Sequence, residues 1–307
     1  MRMPLSYQSF IAKLVALAIT LTPAIPALAR PDLAQKVGTT VADTGSPDYR
    51  FSDLRFTSAD GQRHYRVRIA QPQAAPPPAG YPVIYFLDGN AVLMELNAGL
   101  LAGLARQKQP PVLVMIGYDN DLRIDAKARS YDYTPATPSG SEEPKGGGAD
   151  AFLGLIEDRI KPAVAAQVAL DPRRQTLWGH SFGGLFALHA LFTRPGAFQS
   201  YIAVEPSLWW GQGFILQEAQ RFLAQRPALP VRLRLWTGGA ERKSGAPAAP
   251  PTMRHSALPA DATQQLANRL ATLRGWRVNY REWPALGHGA MFGAAITPAL
   301  DSVAKGE

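Results

Sequence analysis

The stretch Arg174-Gln-Thr-Leu-Trp-Gly-His-Ser-Phe-Gly-Gly-Leu-Phe-Ala-Leu188 predicts a strand that runs into a helix with a serine at the turn. Gln175 to Trp178 is a short, mostly apolar run, and apolar residues recur at helical spacing from Gly184 to Phe192. Between them, Gly179-His-Ser-Phe-Gly183 matches the G-x-S-x-G pattern of a nucleophile elbow. Glycines two positions before and after Ser181 fit such a sharp turn, because the chain there passes close to itself. The alternative interpretation is a turn of small residues before a helix.

The surroundings of Ser181 favour a nucleophile over a plain turn, since a strand, a helix and a downstream histidine accompany the motif. The turn would place the hydroxyl at a helix N-terminus, where the N–H of Phe182 can face a developing oxyanion. A second N–H donor is expected from the loop after the apolar run Pro82 to Asp88. The sequence therefore predicts an oxyanion hole made by Phe182 and by Gly89 or Asn90.

A serine nucleophile needs a base, and one of the five histidines suits that role. His288 follows the last predicted strand in Leu286-Gly-His-Gly-Ala290, where the flanking glycines permit a tight turn toward the serine. Its position after the serine agrees with the chain order serine, acid, histidine of α/β-hydrolases. Structural or exposed positions are predicted for the other four histidines, which are His64, His180, His189 and His255.

The acid that orients the histidine is less well defined by the sequence. Glu241 follows the predicted strand Val231 to Thr237, the usual place for this acid, and is the first candidate. Glu205 ends the predicted strand Ser200 to Val204 and is the alternative acid. A serine–histidine dyad without an acid is the third possibility.

Regular alternation of strands and helices predicts an α/β fold with a mostly parallel sheet, helices on both faces and an N-terminal antiparallel hairpin. We expect a flexible segment at residues 30–48, a single domain at 49–307 and long loops at Tyr118 to Gly148 and Gly238 to Pro259. The predicted strands are Tyr49–Thr57, Arg63–Ala70, Pro82–Asp88, Val112–Gly117, Gln175–Trp178, Ser200–Val204, Val231–Thr237 and Arg277–Trp283. The predicted helices are Val92–Arg106, Ala149–Lys161, Gly184–Phe192, Phe214–Gln225, Asp261–Leu273 and Met291–Val303.

The first 29 residues have the layout of a secretory signal peptide. They contain Arg2 and Lys13 without any acidic residue, then the apolar run Leu14 to Leu21, then Ala27-Leu-Ala29. The apolar run is short for a membrane span, so cleavage after Ala29 and a periplasmic location are predicted, without a stable membrane anchor. An uncleaved anchor is the alternative.

Composition limits the chemistry and the partners. The chain has no cysteine, which excludes disulfides, thiolate metal sites and a cysteine nucleophile, and suits an oxidising compartment. Its net charge is +8, and without the two basic residues of the first 29 it keeps 30 basic and 24 acidic residues, or +6. This charge favours an anionic ligand, while the dispersed basic residues argue against nucleic acid. We expect a monomer or weak oligomer that works without a metal or an organic cofactor.

Five segments together resemble one group of proteins, the putative-esterase branch of the α/β-hydrolases and, within it, the siderophore trilactone esterases of the ferric enterobactin type. The segments are Leu87-Asp-Gly-Asn-Ala91, Arg129-Ser-Tyr-Asp-Tyr-Thr-Pro135, Gly179-His-Ser-Phe-Gly-Gly184, Pro206-Ser-Leu-Trp-Trp210 and Gly287-His-Gly-Ala-Met-Phe292. The resemblance covers residues 50 to 305. It implies hydrolysis of the ester bonds of a cyclic catecholate trilactone, with release of iron for uptake.

The resemblance also implies roles for individual residues. Ser181 and His288 match the nucleophile and the base, the Asn90 region matches the oxyanion loop, and Arg129 matches an arginine near the ligand. Glu205 departs from the pattern, because a small residue is expected before Pro206. A ferric tris-catecholate is a large anion, and a guanidinium group can attract it and stack on its rings. An aromatic wall for the substrate is predicted from two adjacent tryptophans, Trp209 and Trp210.

Two rival functions stay open at this point. A general carboxylesterase, or a hydrolase of feruloyl or acetyl esters, would use the same chemistry without a preference for catecholates. A non-catalytic protein that binds a ferric siderophore would keep the fold and lack turnover. An intact serine and histidine argue against the second rival.

Overall fold

The computed structural model describes residues 32, 34–137, 145–225, 229–240 and 258–307. Within these residues, eight strands form one sheet in the order β1-β2-β4-β3-β5-β6-β7-β8. The strands are β1 (Tyr49–Thr57), β2 (His64–Pro72), β3 (Tyr81–Phe86), β4 (Val112–Tyr118), β5 (Leu170–His180), β6 (Ser200–Val204), β7 (Arg232–Gly238) and β8 (Arg277–Trp283).

The sheet is antiparallel at one end and parallel elsewhere. Strand β1 pairs antiparallel with β2, and β2 pairs antiparallel with β4. From β4 through β8 all neighbouring strands are parallel, so their carboxyl ends lie along one edge. The predicted α/β class, with its N-terminal hairpin and mostly parallel sheet, is confirmed.

Helices connect the strands. Their bounds are α1 (Val41–Thr44), α2 (Gly89–Glu95), α3 (Ala98–Ala105), α4 (Ala126–Asp132), α5 (Ala149–Leu155), α6 (Lys161–Gln167), α7 (Phe182–Thr193), α8 (Trp210–Ala224), α9 (Ala262–Leu270), α10 (Ala290–Ala294) and α11 (Ile296–Lys305). One π-helical turn, Ile156–Ile160, joins α5 to α6.

Apolar layers cover both faces of the central strands. Every residue of β3 is buried, and alternate side chains enter different layers. Val83 and Tyr85 pack in the layer that contains α7, whereas Ile84 and Phe86 pack in the layer that contains α11. This double burial explains why the strand is an unbroken apolar run, and it fixes the sheet edge where the catalytic loops lie.

Several predicted segments differ from the structure; for example, the last helix, expected from Met291 to Val303, is divided into α10 and α11. The helix expected from Val92 to Arg106 is divided into α2 and α3, because the backbone is extended at Leu96 and the Asn97 side chain caps the next helix by accepting from the N–H of Leu100 at 2.9 Å. The loop expected from Tyr118 to Gly148 contains α4, whose N-cap Asp125 accepts from the N–H of Ala128.

Residues 32–307 form one compact unit. The predicted signal peptide lies outside the described residues, so cleavage after Ala29 stays a prediction. In the described part of the chain, no helix combines the length and the apolar character needed to cross a bilayer.

Candidate active site

The turn between β5 and α7 has the backbone of a nucleophile elbow. Ser181 lies there with φ 59° and ψ −117°, an uncommon conformation for a residue with a side chain. Its N–H donates to the carbonyl of Val204 at 2.9 Å. A Cβ atom on Gly179 would collide with the backbone of Gly183, and one on Gly184 would lie 2.9 Å from the Val204 oxygen. Glycine is therefore a steric requirement at 179 and at 184, whereas a Cβ atom at 183 would make only ordinary contacts with Leu87.

Three side chains from three loops meet at Ser181. The Nε2 atom of His288 lies 3.1 Å from Ser181 Oγ, and its Nδ1 atom lies 3.1 Å from Glu205 Oε2. An Nδ1–H donated to the carboxylate leaves Nε2 as the acceptor for the serine hydroxyl, which is the tautomer a general base needs. The His288 side chain is 38% exposed, so the base is open to substrate and water.

The acid in this arrangement comes from the end of β6. Glu205 has φ 46°, and its N–H donates to the carbonyl of Trp236 at 2.8 Å. Its second carboxylate oxygen accepts from the N–H of Gly238, so both oxygens have partners. Glu241, the first candidate from the sequence, lies outside the described residues. Because Glu205 already accepts the Nδ1–H of His288, the geometry favours the alternative acid.

Two helix N-termini flank the serine and supply backbone donors. Helix α7 begins at Phe182 and α2 begins at Gly89, and N–H groups in the first turn of a helix lack partners within that helix. A Cβ atom on Gly183 would lie 3.5 Å from Leu87, which places the loop after β3 against the first turn of α7. This arrangement suits the predicted oxyanion hole of Phe182 with Gly89 or Asn90.

The side chain of Asn90 holds this loop in place. Its Nδ2 atom donates to the carbonyls of Tyr118, Asn120 and Leu122 at 3.0 to 3.2 Å. A Cβ atom on Gly89 would lie 2.5 Å from the carbonyl carbon of Met115, so only glycine allows this approach to β4. The start of α2 is thus tied to the neighbouring strand.

Arg129, which the resemblance predicted near the ligand, is paired with a buried aspartate instead. Its guanidinium makes a bidentate pair with Asp88, at 2.8 and 2.9 Å, and also donates to the carbonyl of His180 at 3.3 Å. The residue is only 9% exposed, and Asp88 is the left-handed N-cap of α2. Arg129 therefore joins the oxyanion loop to the elbow, and its guanidinium is engaged by protein groups rather than open for a ligand.

The two adjacent tryptophans also differ from each other. Trp210 is 1% exposed and its indole N–H donates to the carbonyl of Pro135 at 3.2 Å, so it belongs to the core and does not form a substrate wall. Trp209 is partly buried, and its ring centroid lies 5.6 Å from that of Phe182. Of the pair, Trp209 has the exposure and the position for contact with a substrate.

His180 has a closer link to the site than the sequence indicated. Its Nε2–H donates to the carbonyl of His288 at 2.8 Å, and the two rings are 4.7 Å apart. Phe292 packs edge-on against the same ring at 5.5 Å. Burial, followed by the nearby His288, holds the pKa of His180 well below its usual range, so its ring stays neutral. The x position of a G-x-S-x-G motif gives no signal of this contact.

A second histidine lies on the buried face of α7. The Nδ1 atom of His189 is 2.9 Å from Glu218 on α8, and its Nε2 atom is 3.2 Å from Asp150 on α5. Burial alone would lower the pKa of His189, but the hydrogen bonds that its ring donates to the carboxylates of Asp150 and Glu218 outweigh burial and raise it to about 9. A buried imidazolium thus joins the elbow helix to both neighbours. Among the described residues, no group of three or more histidine, aspartate or glutamate side chains has the arrangement to hold a metal ion.

Known proteins match this chain over most of its length. The family model described as "Putative esterase" matches residues 58–242. An apo-salmochelin esterase of Escherichia coli O6:H1 is 38% identical over 92% of this chain and 87% of its own length. A ferri-bacillibactin esterase of Bacillus subtilis is 35% identical over 80% of this chain and 86% of its own length. The solved structure of the enterobactin hydrolase IroE in complex with DFP has a TM-score of 0.72 and 35% identity, and covers 86% of this chain and 98% of that one.

The match and the site agree with each other. The family model includes the oxyanion loop and the elbow, and the apo-salmochelin esterase matches 92% of the chain. Their names describe ester hydrolysis, which is the chemistry that a serine, a histidine and paired backbone donors perform. The chain belongs to the Putative esterase family and is a carboxylic ester hydrolase with the α/β-hydrolase fold.

Proposed function

We propose that this chain is a serine esterase that hydrolyses the ester bonds of catecholate siderophore trilactones such as enterobactin, and so releases their iron. The proposal rests on the hydrogen-bonded triad of Ser181, His288 and Glu205. Both hydrogen bonds, from His288 Nε2 to the serine and from His288 Nδ1 to the glutamate, measure 3.1 Å. The relatives of the protein are named as esterases of salmochelin and bacillibactin. The backbone donors beside Ser181 complete the machinery for ester cleavage.

In the acylation step, Ser181 Oγ attacks the carbonyl carbon of the ester while its proton passes to His288 Nε2. Glu205 accepts the Nδ1–H and stabilises the imidazolium that forms. The N–H of Phe182, with that of Gly89 or Asn90, donates to the oxyanion; each such donor contributes about 3 kcal/mol to the transition state. When the C–O bond to the alcohol breaks, His288 returns its proton to the departing oxygen.

Deacylation repeats this chemistry with water. Water attacks the acyl carbon and gives a proton to His288 Nε2, and the bond from the acyl carbon to Ser181 Oγ then breaks. The same proton returns to Oγ, and the product leaves as a carboxylic acid. Three rounds on one trilactone would yield three linear monomers, and each round cleaves one ester bond.

The charge and the aromatic surface suit an anionic, aromatic substrate. The chain carries 32 basic against 24 acidic residues, and a ferric tris-catecholate is anionic. Trp209, which is partly buried and packs against the buried Phe182 beside the nucleophile, offers an aromatic ring on which a catechol ring can stack. Because Arg129 is engaged by Asp88, the attraction of the substrate in this proposal comes from the overall positive charge of the chain.

We also propose export to the periplasm with removal of residues 1–29, on the sequence pattern that ends at Ala29. N-terminal sequencing of the protein recovered from a periplasmic extract should begin at Arg30. Recovery of chains that begin at Met1 from the membrane fraction would support the uncleaved anchor instead.

Comparison of kcat/KM among substrates tests the specificity. We expect higher values for ferric or iron-free enterobactin than for p-nitrophenyl acetate or methyl ferulate. A higher value for ferric than for iron-free enterobactin would show that the enzyme acts in iron release. Higher values for the small esters would favour a general carboxylesterase or a feruloyl-ester hydrolase. Tight binding of the ferric siderophore without turnover of any ester would favour a binding protein.

A further inference from the structure

A second hydroxyl lies beside the nucleophile. Ser207 Oγ is 3.2 Å from Ser181 Oγ, and the Ser207 side chain is almost fully buried, with 2% exposure. The backbone of the two residues is also joined, because the Ser207 N–H donates to the Ser181 carbonyl at 3.1 Å. The hydroxyl is therefore held at the reacting atom by the chain itself.

The direction of this hydrogen bond follows from the neighbouring groups. Glu205 takes the Nδ1–H of His288, so Nε2 accepts the single hydroxyl proton of Ser181. With its only proton directed at His288, Ser181 Oγ can accept a hydrogen bond from Ser207 but cannot donate one to it. In the reactive state, Ser207 is therefore the donor and Ser181 the acceptor.

We propose that Ser207 is a further catalytic residue, whose hydroxyl stabilises negative charge on Ser181 Oγ when that oxygen leaves the acyl group. The inference rests on the proposed serine esterase function. In deacylation, the bond between the acyl carbon and Oγ breaks with its electron pair on Oγ, and His288 supplies the proton. Ser207 keeps its own proton and donates a hydrogen bond to Oγ throughout.

The effect is larger in deacylation than in acylation. In the free enzyme, Oγ is a hydroxyl oxygen and already accepts from Ser207, so part of the interaction is present before attack. In the acyl-enzyme, Oγ is an ester oxygen, which is a weak acceptor, and the bond strengthens only as charge returns to Oγ. Only interactions that are stronger in the transition state than in the ground state accelerate a step.

One short turn after β6 presents both the acid and the second hydroxyl. Glu205 and Ser207 are separated by Pro206, and the left-handed backbone at Glu205 redirects the chain toward the elbow. A Cβ atom on Gly184 would lie 3.0 Å from the Pro206 Cα, so the glycine lets α7 approach this turn. The turn that places Glu205 beside His288 thus brings Ser207 to the nucleophile as well.

The test measures acylation and deacylation separately with p-nitrophenyl acetate, by stopped-flow release of nitrophenol and by intact-mass detection of the acyl-enzyme. For Ser207→Ala, we expect the decay of the acyl-enzyme to slow by about 10- to 100-fold, the range for a hydrogen bond to a charged group, while the burst rate falls much less. The decay constant is measured per acylated site, so partial misfolding of the variant does not affect it.

The matched control is Ser200→Ala, which removes a buried hydroxyl at the start of β6, the strand before the turn that holds Ser207, and its decay constant should equal that of the wild type. An unchanged decay constant in Ser207→Ala, or equal losses in both steps, would overturn the role of Ser207. If Ser181→Ala showed a burst of nitrophenol release as large as that of the wild type, the serine esterase function itself would be rejected. Because the probe is a small ester, failure of trilactone hydrolysis alone leaves the test of Ser207 intact.

Discussion

Glu205 Oε2 lies 3.1 Å from His288 Nδ1, so the alternative acid predicted from the sequence, at the end of β6, is within hydrogen-bond distance of the histidine. The carboxylate is 17% exposed, and its other oxygen is held by the N–H of Gly238 at the end of β7. The two strands together fix the acid, so the orientation of the base depends on sheet pairing as well as on one side chain.

Replacement of Glu205 tests this assignment. We expect Glu205→Gln to lower kcat by about 10³-fold, because loss of the carboxylate removes the group that orients His288 and stabilises its charged form. The control is Glu157→Gln, which removes a surface partner of Arg194 and should leave kcat unchanged. A large loss in Glu241→Gln, with near-normal activity in Glu205→Gln, would return the acid to the loop after β7.

Replacement of Arg129 separates a structural role from a ligand contact. Arg129→Ala leaves Asp88 buried without its partner, and we expect a loss of about 3–5 kcal/mol in the free energy of unfolding. Arg129→Lys should lower kcat/KM to a similar extent for neutral p-nitrophenyl acetate and for an anionic ferric siderophore, since both need the oxyanion loop. Arg194→Ala, at an exposed ion pair, should cost less than about 1 kcal/mol.

A loss confined to the anionic siderophore, with full activity of Arg129→Lys on the neutral ester, would contradict the structural role. Urea unfolding and steady-state kinetics on the same protein samples provide both measurements.

His180 should affect the rate more than substrate binding. His180→Ala removes the donor to the His288 carbonyl, and we expect kcat to fall by about 10-fold or more with little change in KM. In the wild type, the depressed pKa of His180 means that the folded protein binds fewer protons than the unfolded chain below pH of about 6.5. Stability should therefore fall as the pH drops below that value, and less steeply in the variant.

The His180 prediction fails if His180→Ala keeps the wild-type kcat, or if only its KM changes. Circular dichroism melts from pH 4 to 7 would give the stability profiles.

The His189 cluster predicts a pH effect of opposite sign. The folded pKa of about 9 is above the unfolded value of about 6.5, so the stabilisation is complete below pH 6.5 and disappears as the pH rises through 9. The difference corresponds to a stabilisation on the order of 3 kcal/mol. His189→Gln should flatten the unfolding free energy between pH 6.5 and 9, whereas His64→Gln, on an exposed strand position, should keep the wild-type slope. Equal slopes in all three proteins would contradict the raised pKa.

The elbow and the sheet could be predicted because local constraints determine them. Gly179 is required by a contact with Gly183 within the same turn, and the apolar run of β3 reflects burial on both faces. The same reasoning predicted the hairpin of β1 and β2 and the other strands to within two residues, except that β5 begins five residues before the predicted start at Gln175.

The sequence could not choose the acid, because Glu205 and Glu241 each follow a strand. The choice depends on the left-handed backbone at Glu205, which a residue pattern does not reveal. Arg129 was predicted near the substrate from the resemblance to siderophore esterases, and Trp210 from its aromatic side chain next to Trp209. Their burial comes from contacts with Asp88 and the Pro135 carbonyl, which are distant in the chain.

The most direct test of the central claim is a mass-spectrometric time course of purified mature protein with ferric and iron-free enterobactin, beside Ser181→Ala. We predict that the wild type converts the macrocycle to linear trimer, dimer and monomer, and that Ser181→Ala is slower by at least about 10³-fold. An unchanged macrocycle in the presence of wild-type protein that still cleaves small aryl esters would contradict the proposed substrate. Conversion by Ser181→Ala at the wild-type rate would contradict the proposed nucleophile.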